Sequence, residues 1–224
     1  MKREEVIELY KQDPRLVYDD KYTGKRRKIN DNNYQWKFKW GRVIPKLFNI
    51  ESFIDLGCSV GPFLEGALDG GVKEGIGLDV AGNSIKKYCV DELKDKIFQA
   101  DLSEPLPDDF GKWDCSFSVE MAEHMLPEHT DICIDNIVKV AKKLIIFSSS
   151  PKSSSLHLNP HEPDYWKEKI ESRGASFSKS KTDMLLWAWQ MAFHEWLWEK
   201  RKFRATCKQI RMRLYSLMVF DVWK

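Results

Sequence analysis

Asp55, Gly57 and Gly61 fall close together in Phe53-Ile54-Asp55-Leu56-Gly57-Cys58-Ser59-Val60-Gly61-Pro62-Phe63, and another carboxylate, Asp79, follows Gly57 by 22 residues. The apolar start reads as a strand. Glycine at 57 and 61 lets the chain turn sharply and approach a ligand closely, and proline suits the first position of the helix that follows. Asp79 closes a second strand, Ile76-Gly77-Leu78-Asp79-Val80, where a carboxylate can accept both hydroxyls of a ribose. A strand, a glycine turn, a helix and an acidic end to the next strand make a nucleotide-type cofactor site. The dinucleotide fingerprint is absent, because Ser59 and Pro62 stand where the second and third glycines of G-x-G-x-x-G belong.

The segment Asp55-Leu56-Gly57-Cys58-x-x-Gly61 resembles the first motif of the class I S-adenosylmethionine-dependent methyltransferases, whose open glycine turn admits a cationic sulfonium amino acid. Ile97-Phe98-Gln99-Ala100-Asp101-Leu102 reads as a third strand ending in a carboxylate. The resemblance implies S-adenosyl-L-methionine as cofactor, Asp79 on its ribose, Asp101 on the adenine amino group, and Val80 and Leu102 on either face of the ring. Cys58 is expected to be a small residue of the turn and not a nucleophile. Trp113–Val119 reads as a fourth strand, and Glu120-Met121-Ala122-Glu123-His124-Met125 after it is similar to a Glu-His segment of many small-molecule methyltransferases. That likeness places Glu120 with the cofactor residues and His124 at the cleft.

The elements that must position these residues alternate strand and helix. Lys143–Ser148 is the fifth strand, preceded by a helical stretch from Asp131 to Ala141 with apolar residues at 134, 137, 138 and 141. Such alternation implies a parallel sheet covered on both faces, with ligands outside the carboxyl ends of its strands. The fold class expected is α/β, a Rossmann-like sheet of seven mostly parallel strands. Ala175–Ser178 and Leu217–Phe220 supply the last two, the final strand antiparallel as in the family. Residues 1–50 are expected to be a helical and loop segment over the cofactor cleft, and 51–224 the methyltransferase domain, with a helical insertion at about 182–212. Asp19–Asn33 reads as a polar loop, and Tyr34–Phe48 as a helix sharing Trp36, Trp40, Val43, Ile44 and Leu47 on one face. Tyr22, Tyr34 and Trp36 are candidates to close the site, with packing the favoured role. A helix from Thr182 to about Lys202 carries Trp187, Trp189, Trp196 and Trp198, too wide a stripe for one core face.

For a hydroxyl acceptor a base must remove the proton, and imidazole, with an ordinary pKa of about 6.5, is the usual choice. Leu156-His157-Leu158-Asn159-Pro160-His161-Glu162-Pro163-Asp164-Tyr165-Trp166 resembles a His-x-Asn segment leading to Pro-x-Tyr-Trp in a subset of the family that includes presumed sugar methyltransferases. Its loop leaves the fifth strand over the methyl group, so His157 is the expected base and His124 its rival. His161 is expected to cap the Pro163–Glu171 helix, and His194 to be structural. An Asp/Asn-Pro-Pro-aromatic sequence is missing after the fourth strand, and no cysteine nucleophile stands in Ser148-Ser149-Ser150-Pro151, so oxygen is the expected acceptor. No metal ligands are assigned, although a magnesium-assisted variant is left open: Asp135-Asn136 falls inside a helix, and the carboxylates after the fourth and fifth strands do not make a convincing set.

Composition fits one soluble domain: 224 residues suffice for a substantial core, and 42% hydrophobic with 31% charged residues is ordinary for a globular protein. Five cysteines without C-x-x-C spacing suggest reduced thiols and a cytoplasmic location. The run Met184–Trp198 is broken by Gln190, His194 and Glu195 and is shorter than the roughly 20 residues that span a bilayer. No membrane span or targeting segment is expected. The expected partner is a small-molecule or glycan acceptor, with a homodimer left open. A nucleic-acid methyltransferase using Lys21–Lys28 and Lys200–Arg213 is the alternative, although a net charge of +2 does not by itself imply nucleic acid. A non-catalytic S-adenosylmethionine-binding partner protein is the third reading.

Overall fold

The computed structural model describes residues 1–18, 32–199 and 216–222. Strands β1 (Ser52–Leu56), β2 (Glu74–Asp79), β3 (Ile97–Gln99), β4 (Trp113–Val119), β5 (Ala141–Ser148), β6 (Ala175–Phe177) and β7 (Met218–Val222) form one sheet in the order β3-β2-β1-β4-β5-β7-β6. β1 to β5 are parallel, and β7 runs antiparallel to both β5 and β6. This is the seven-stranded, mostly parallel α/β sheet with an antiparallel last strand that the sequence leads one to expect.

Successive strand residues point to opposite faces, so Phe53 and Ile54 enter two different cores. On one face α3 (Asn32–Phe48), α4 (Pro62–Asp69) and α8 (Lys179–Glu199) cover Phe53, Phe117 and Ile146. On the other, α6 (Thr130–Lys139) and α7 (Pro163–Glu171) cover Ile54, Ile145 and Phe147, with Trp166 and Ile137 fully buried between. Burial on both sides explains why β1 and β5 read as nearly unbroken apolar runs. A short helix, α5 (Gly82–Ile85), follows β2. At the amino terminus α1 (Arg3–Gln12) and α2 (Pro14–Val17) bury Val6, Tyr10 and Val17 against Leu126 and Leu158, so they lie on the loops leaving β4 and β5.

The expected face of α3 forms in part: Trp36, Trp40 and Ile44 are buried, while Val43 and Leu47 are partly so. Gly66 of α4 lets that helix lie against α3, for a Cβ there would come within 2.1 Å of the Phe38 carbonyl oxygen. Trp40 of α3 and Trp189 of α8 stack at 4.4 Å, nearly parallel. Each indole N–H donates to the other's backbone carbonyl, at 2.9 and 3.2 Å. Trp187, by contrast, is 63% exposed, so the tryptophans of α8 do not share one role. The side chains of His194, Trp196 and Trp198, and the expected basic segments Lys21–Lys28 and Lys200–Arg213 with Tyr22, lie outside the described residues.

Two expected boundaries shift. The third strand stops at Gln99, because Asp101 leaves the ladder to accept the Ser103 amide in a turn of its own. The expected cap of α7 by His161 does not form. Glu162 is the residue before that helix, and His161 stacks on Tyr165 at 3.7 Å while bonding Asn159 at 2.9 Å. The four described cysteines form no disulfide and are buried. No helix among the described residues is long and apolar enough to cross a membrane.

The Trp40–Trp189 pair generates the first prediction. Trp189→Ala removes a fully buried indole, its stacking on Trp40 and its own N–H bond to the Trp40 carbonyl, so unfolding in urea should cost about 3–5 kcal/mol less than in the parent. An unchanged midpoint would show that α8 is held without it.

Candidate functional site

The loop after β1 takes the left-handed backbone at Gly57 (φ 84°), Ser59 (52°) and Gly61 (79°). Side chains resist this conformation, and at Gly57 a Cβ would also stand 2.2 Å from Met121 Cγ. The turn is fastened to β2 in two ways. The amides of Gly57 and Cys58 both donate to the Leu78 carbonyl, at 2.8 and 3.0 Å. Asp79 then accepts the Ser59 amide on one carboxylate oxygen and the Ala81 amide on the other, each at 2.9 Å. Gly61 caps α4 at its start, with Pro62 in the first turn.

This loop borders a cavity of about 690 Å³ at the carboxyl ends of β1, β2 and β4, inside the range of small-molecule sites. Gly57, Asp79, Val80, Asp101, Leu102 and Glu120 line it, as the sequence suggests. Asp55, Cys58 and Gly61 do not. Cys58 is turned inward, so that a Cβ on Gly77 would lie 2.6 Å from its sulfur, and Gly61 faces Leu93. These three shape the loop from beneath. Of the candidates to close the site, Trp36 lines the cavity, whereas Tyr34 is buried and donates a hydrogen bond to Glu65.

Asp55 is the unusual member. Its carboxylate is buried, with Oδ2 making no hydrogen bond. Burial pushes its pKa from an ordinary 3.8 to about 8, and the nearby Asp79 adds to the rise, against a lowering pull from Lys37. Lys37 lines the cavity, and its ammonium lies 5.6 and 5.8 Å from the rings of Trp36 and Phe63.

At the other end, the loops after β4 and β5 are stitched together. Asn159 is buried, with its amide on the Glu123 carbonyl (2.9 Å) and its side-chain amide on the Thr130 hydroxyl (2.8 Å). His124 Nδ1 bonds the Leu156 carbonyl at 3.0 Å, and His157 Nδ1 bonds the Lys152 carbonyl at 2.6 Å. The two imidazoles meet edge to face, 5.0 Å between centres, and both line the cavity. A carbonyl accepts, so in each ring it is Nδ1 that donates this bond, and Nε2 is the nitrogen not engaged in it. Glu120 accepts the Ser148 hydroxyl at 3.1 Å. Glu123 is wholly buried; neither oxygen makes a hydrogen bond of ordinary geometry, although Ser149 and the Ser150 backbone lie near enough to temper its charge. Burial, then the Glu120 carboxylate, raises its pKa well above the usual range.

Sequence reasoning missed Tyr10, Lys37, Glu123 and Trp189 as cavity residues. Glu123 was within reach, since it directly precedes His124. Tyr10 carried no signal: its hydroxyl donates to Met125 Sδ, 115 residues away, and only the docking of α1 brings it there.

No protein-family model and no curated protein matches the chain. Solved structures do. A methyltransferase dependent on S-adenosylmethionine (SAM) from Archaeoglobus fulgidus matches with a TM-score of 0.53 at 19% identity, covering 83% of this chain and 92% of that one. The magnesium protoporphyrin IX methyltransferase of Synechocystis PCC 6803, with bound SAH, matches at 0.50 and 17%, covering 66% and 74%. The cyclase SpnF matches at 0.50 and 13%, covering 83% and 80%. The chain has the class I methyltransferase fold. That fold also carries a cyclase, so the reaction has to be argued from the site.

Asp55 supplies a test of the buried carboxylate. Because its folded pKa lies above the unfolded value, the native state holds the proton more tightly, and stability falls as pH rises from about 4 to about 8. Asp55→Asn keeps the shape without the charge. It should gain stability over the parent at pH 8, and the gap should narrow at pH 5 in denaturant titrations; a gap independent of pH would place an ionised Asp55 in the native state.

Proposed function

We propose that this protein is an S-adenosylmethionine-dependent methyltransferase acting on a hydroxyl oxygen of a sugar, glycan or other small molecule. The observation that carries the reading is one cavity with two chemically distinct ends. Its cofactor end has acidic strand ends and a left-handed glycine turn; its acceptor end has two imidazoles that donate through Nδ1 to backbone carbonyls.

The residues present suit the cofactor. Asp79 closes β2 beside the glycine turn and lines the cavity, and a carboxylate there can accept ribose hydroxyls. Asp101 can accept an adenine amino group between Val80 and Leu102. Lys37 lines the cavity and offers a positive charge for the carboxylate of the methionine portion, while Asp55, with its orphaned oxygen, acts on that end only from beneath the turn. Bound there, the cofactor supplies an already activated methyl group, so the protein's task is alignment and exclusion of water. Trp36, Trp40 and Phe63 give that end an apolar wall. Tyr10 and Met125 line the acceptor end, where His157, with His124 as its rival, is placed to assist removal of the hydroxyl proton.

Calorimetry should give micromolar affinity for S-adenosylmethionine and its demethylated product, about −8 kcal/mol. No heat with either ligand would remove the basis of the reading. Asp79→Ala should weaken that affinity roughly ten- to hundredfold, since bonds to a charged group are worth about 1.5–3 kcal/mol. It should also lower thermal stability, because the Ser59 and Ala81 amides lose their acceptor. Affinity equal to the parent's would put the ribose elsewhere. A methyl-transfer screen against sugars, nucleotides and plain or capped RNA separates the proposed acceptors from nucleic acid.

A further inference from the structure

We propose that Glu123, His124 and His157 form a binding site for a first-row divalent metal ion at the acceptor end of the cavity, with Glu120 beside them as an additional carboxylate. This departs from the sequence reading, which assigns no metal ligands.

Three independent features converge. One ligand atom from each of Glu123, His124 and His157 lies within 4.8 Å of the others. Nitrogen and oxygen ligands sit about 2.0–2.2 Å from such an ion, so small side-chain rotations suffice to gather them. The Glu123 side chain is completely buried, yet neither oxygen makes a hydrogen bond of ordinary geometry, with only Ser149 and the Ser150 backbone near it. A buried carboxylate normally finds a donor or a cation, because leaving it without either is costly. Finally, both imidazoles are tied through Nδ1 to backbone carbonyls, of Leu156 and Lys152. A hydrogen bond at one ring nitrogen is what fixes a metal-ligating histidine and directs its other nitrogen to the ion.

The donor set argues for the class of ion. Two imidazoles with carboxylates suit manganese, iron, cobalt or zinc in the divalent state, whereas magnesium and calcium prefer oxygen alone. Three protein ligands leave positions open for an exogenous oxygen. The ion's role rests on the proposed methyl transfer to a hydroxyl. A hydroxyl ligated there would become more acidic and release its proton to water, and two neighbouring hydroxyls, as on a sugar ring, could chelate. His124 and His157 then act through the ion and do not take the proton themselves.

The test begins with the full chain stripped by a chelator and titrated with manganese(II), the free ion being followed by electron paramagnetic resonance. Cobalt(II) in a parallel titration reports nitrogen ligation through its visible absorption bands. One ion per chain is expected, with Glu123→Gln and His157→Ala each weakening binding by at least about a hundredfold. S-adenosylmethionine affinity, measured on the same variants, should stay within about twofold and so verify that they fold. Manganese binding that is substoichiometric, or equally tight in both variants, overturns the site. So does methylation that persists undiminished in excess chelator, a result that leaves methyl transfer standing with the imidazoles as direct bases. Ion binding without any cofactor binding would instead keep the metal site and sink the methyltransferase reading.

Discussion

The carboxylate of Asp79 holds two loops at once, one oxygen on the Ser59 amide and the other on the Ala81 amide, and the proposed cofactor end of the cleft depends on that bridge. The β1 turn must stay in the left-handed region through Gly57, Ser59 and Gly61, and at Ser59 a side chain opposes this. A charge-assisted bond from the same amide offsets the cost. The turn in turn sets the start of α4 and leaves Gly57 close under Met121. The Asp79 carboxylate is thus part of the framework of the loop as well as of the cavity wall.

Much of this end was legible because its physics is local. Parallel strands buried on both faces are apolar runs, and a sharp turn needs glycine, so β1, β2 and β4 with Gly57, Asp79 and Val80 follow from residue type and spacing. What escaped was set by partners distant in the chain. Asp101 continues an apolar run and reads as a strand end, but its side chain prefers the Ser103 amide and hydroxyl, so the ladder stops two residues earlier. Cys58 and Gly61 belong to the motif without touching the cavity, because a motif records the loop's geometry as well as its ligand. His161 and Pro163 suggest a helix cap, yet the imidazole gains more from stacking on Tyr165 and bonding Asn159.

The acceptor end was legible in its histidines and not in what places them. The His-x-Asn segment drew notice for His157, but Asn159 is the buried residue that anchors the loop, on the Glu123 carbonyl and the Thr130 hydroxyl. With that anchor and the His124 bond to Leu156, the loops after β4 and β5 behave as one unit, and α1 packs Tyr10 and Val6 across it. No periodicity in the first 17 residues foretells this, since α1 is amphipathic in a way that would suit many surfaces.

The two ends therefore differ in how far their chemistry can be inherited from the fold. The cofactor end is made of strand termini and the turns between them, so any chain with this sheet order and a glycine turn can reproduce it. The acceptor end is made of crossovers whose length and side chains the sheet leaves unconstrained, and it is there that chains of one fold separate into different reactions. In this chain that freedom has been used to bury Glu123, whose pKa burial raises, next to two imidazoles that donate through Nδ1 to backbone carbonyls. A carboxylate at this position could have been replaced by an apolar side chain at less cost to the fold. Its presence, more than that of either histidine, is what makes the acceptor end a site with chemistry of its own.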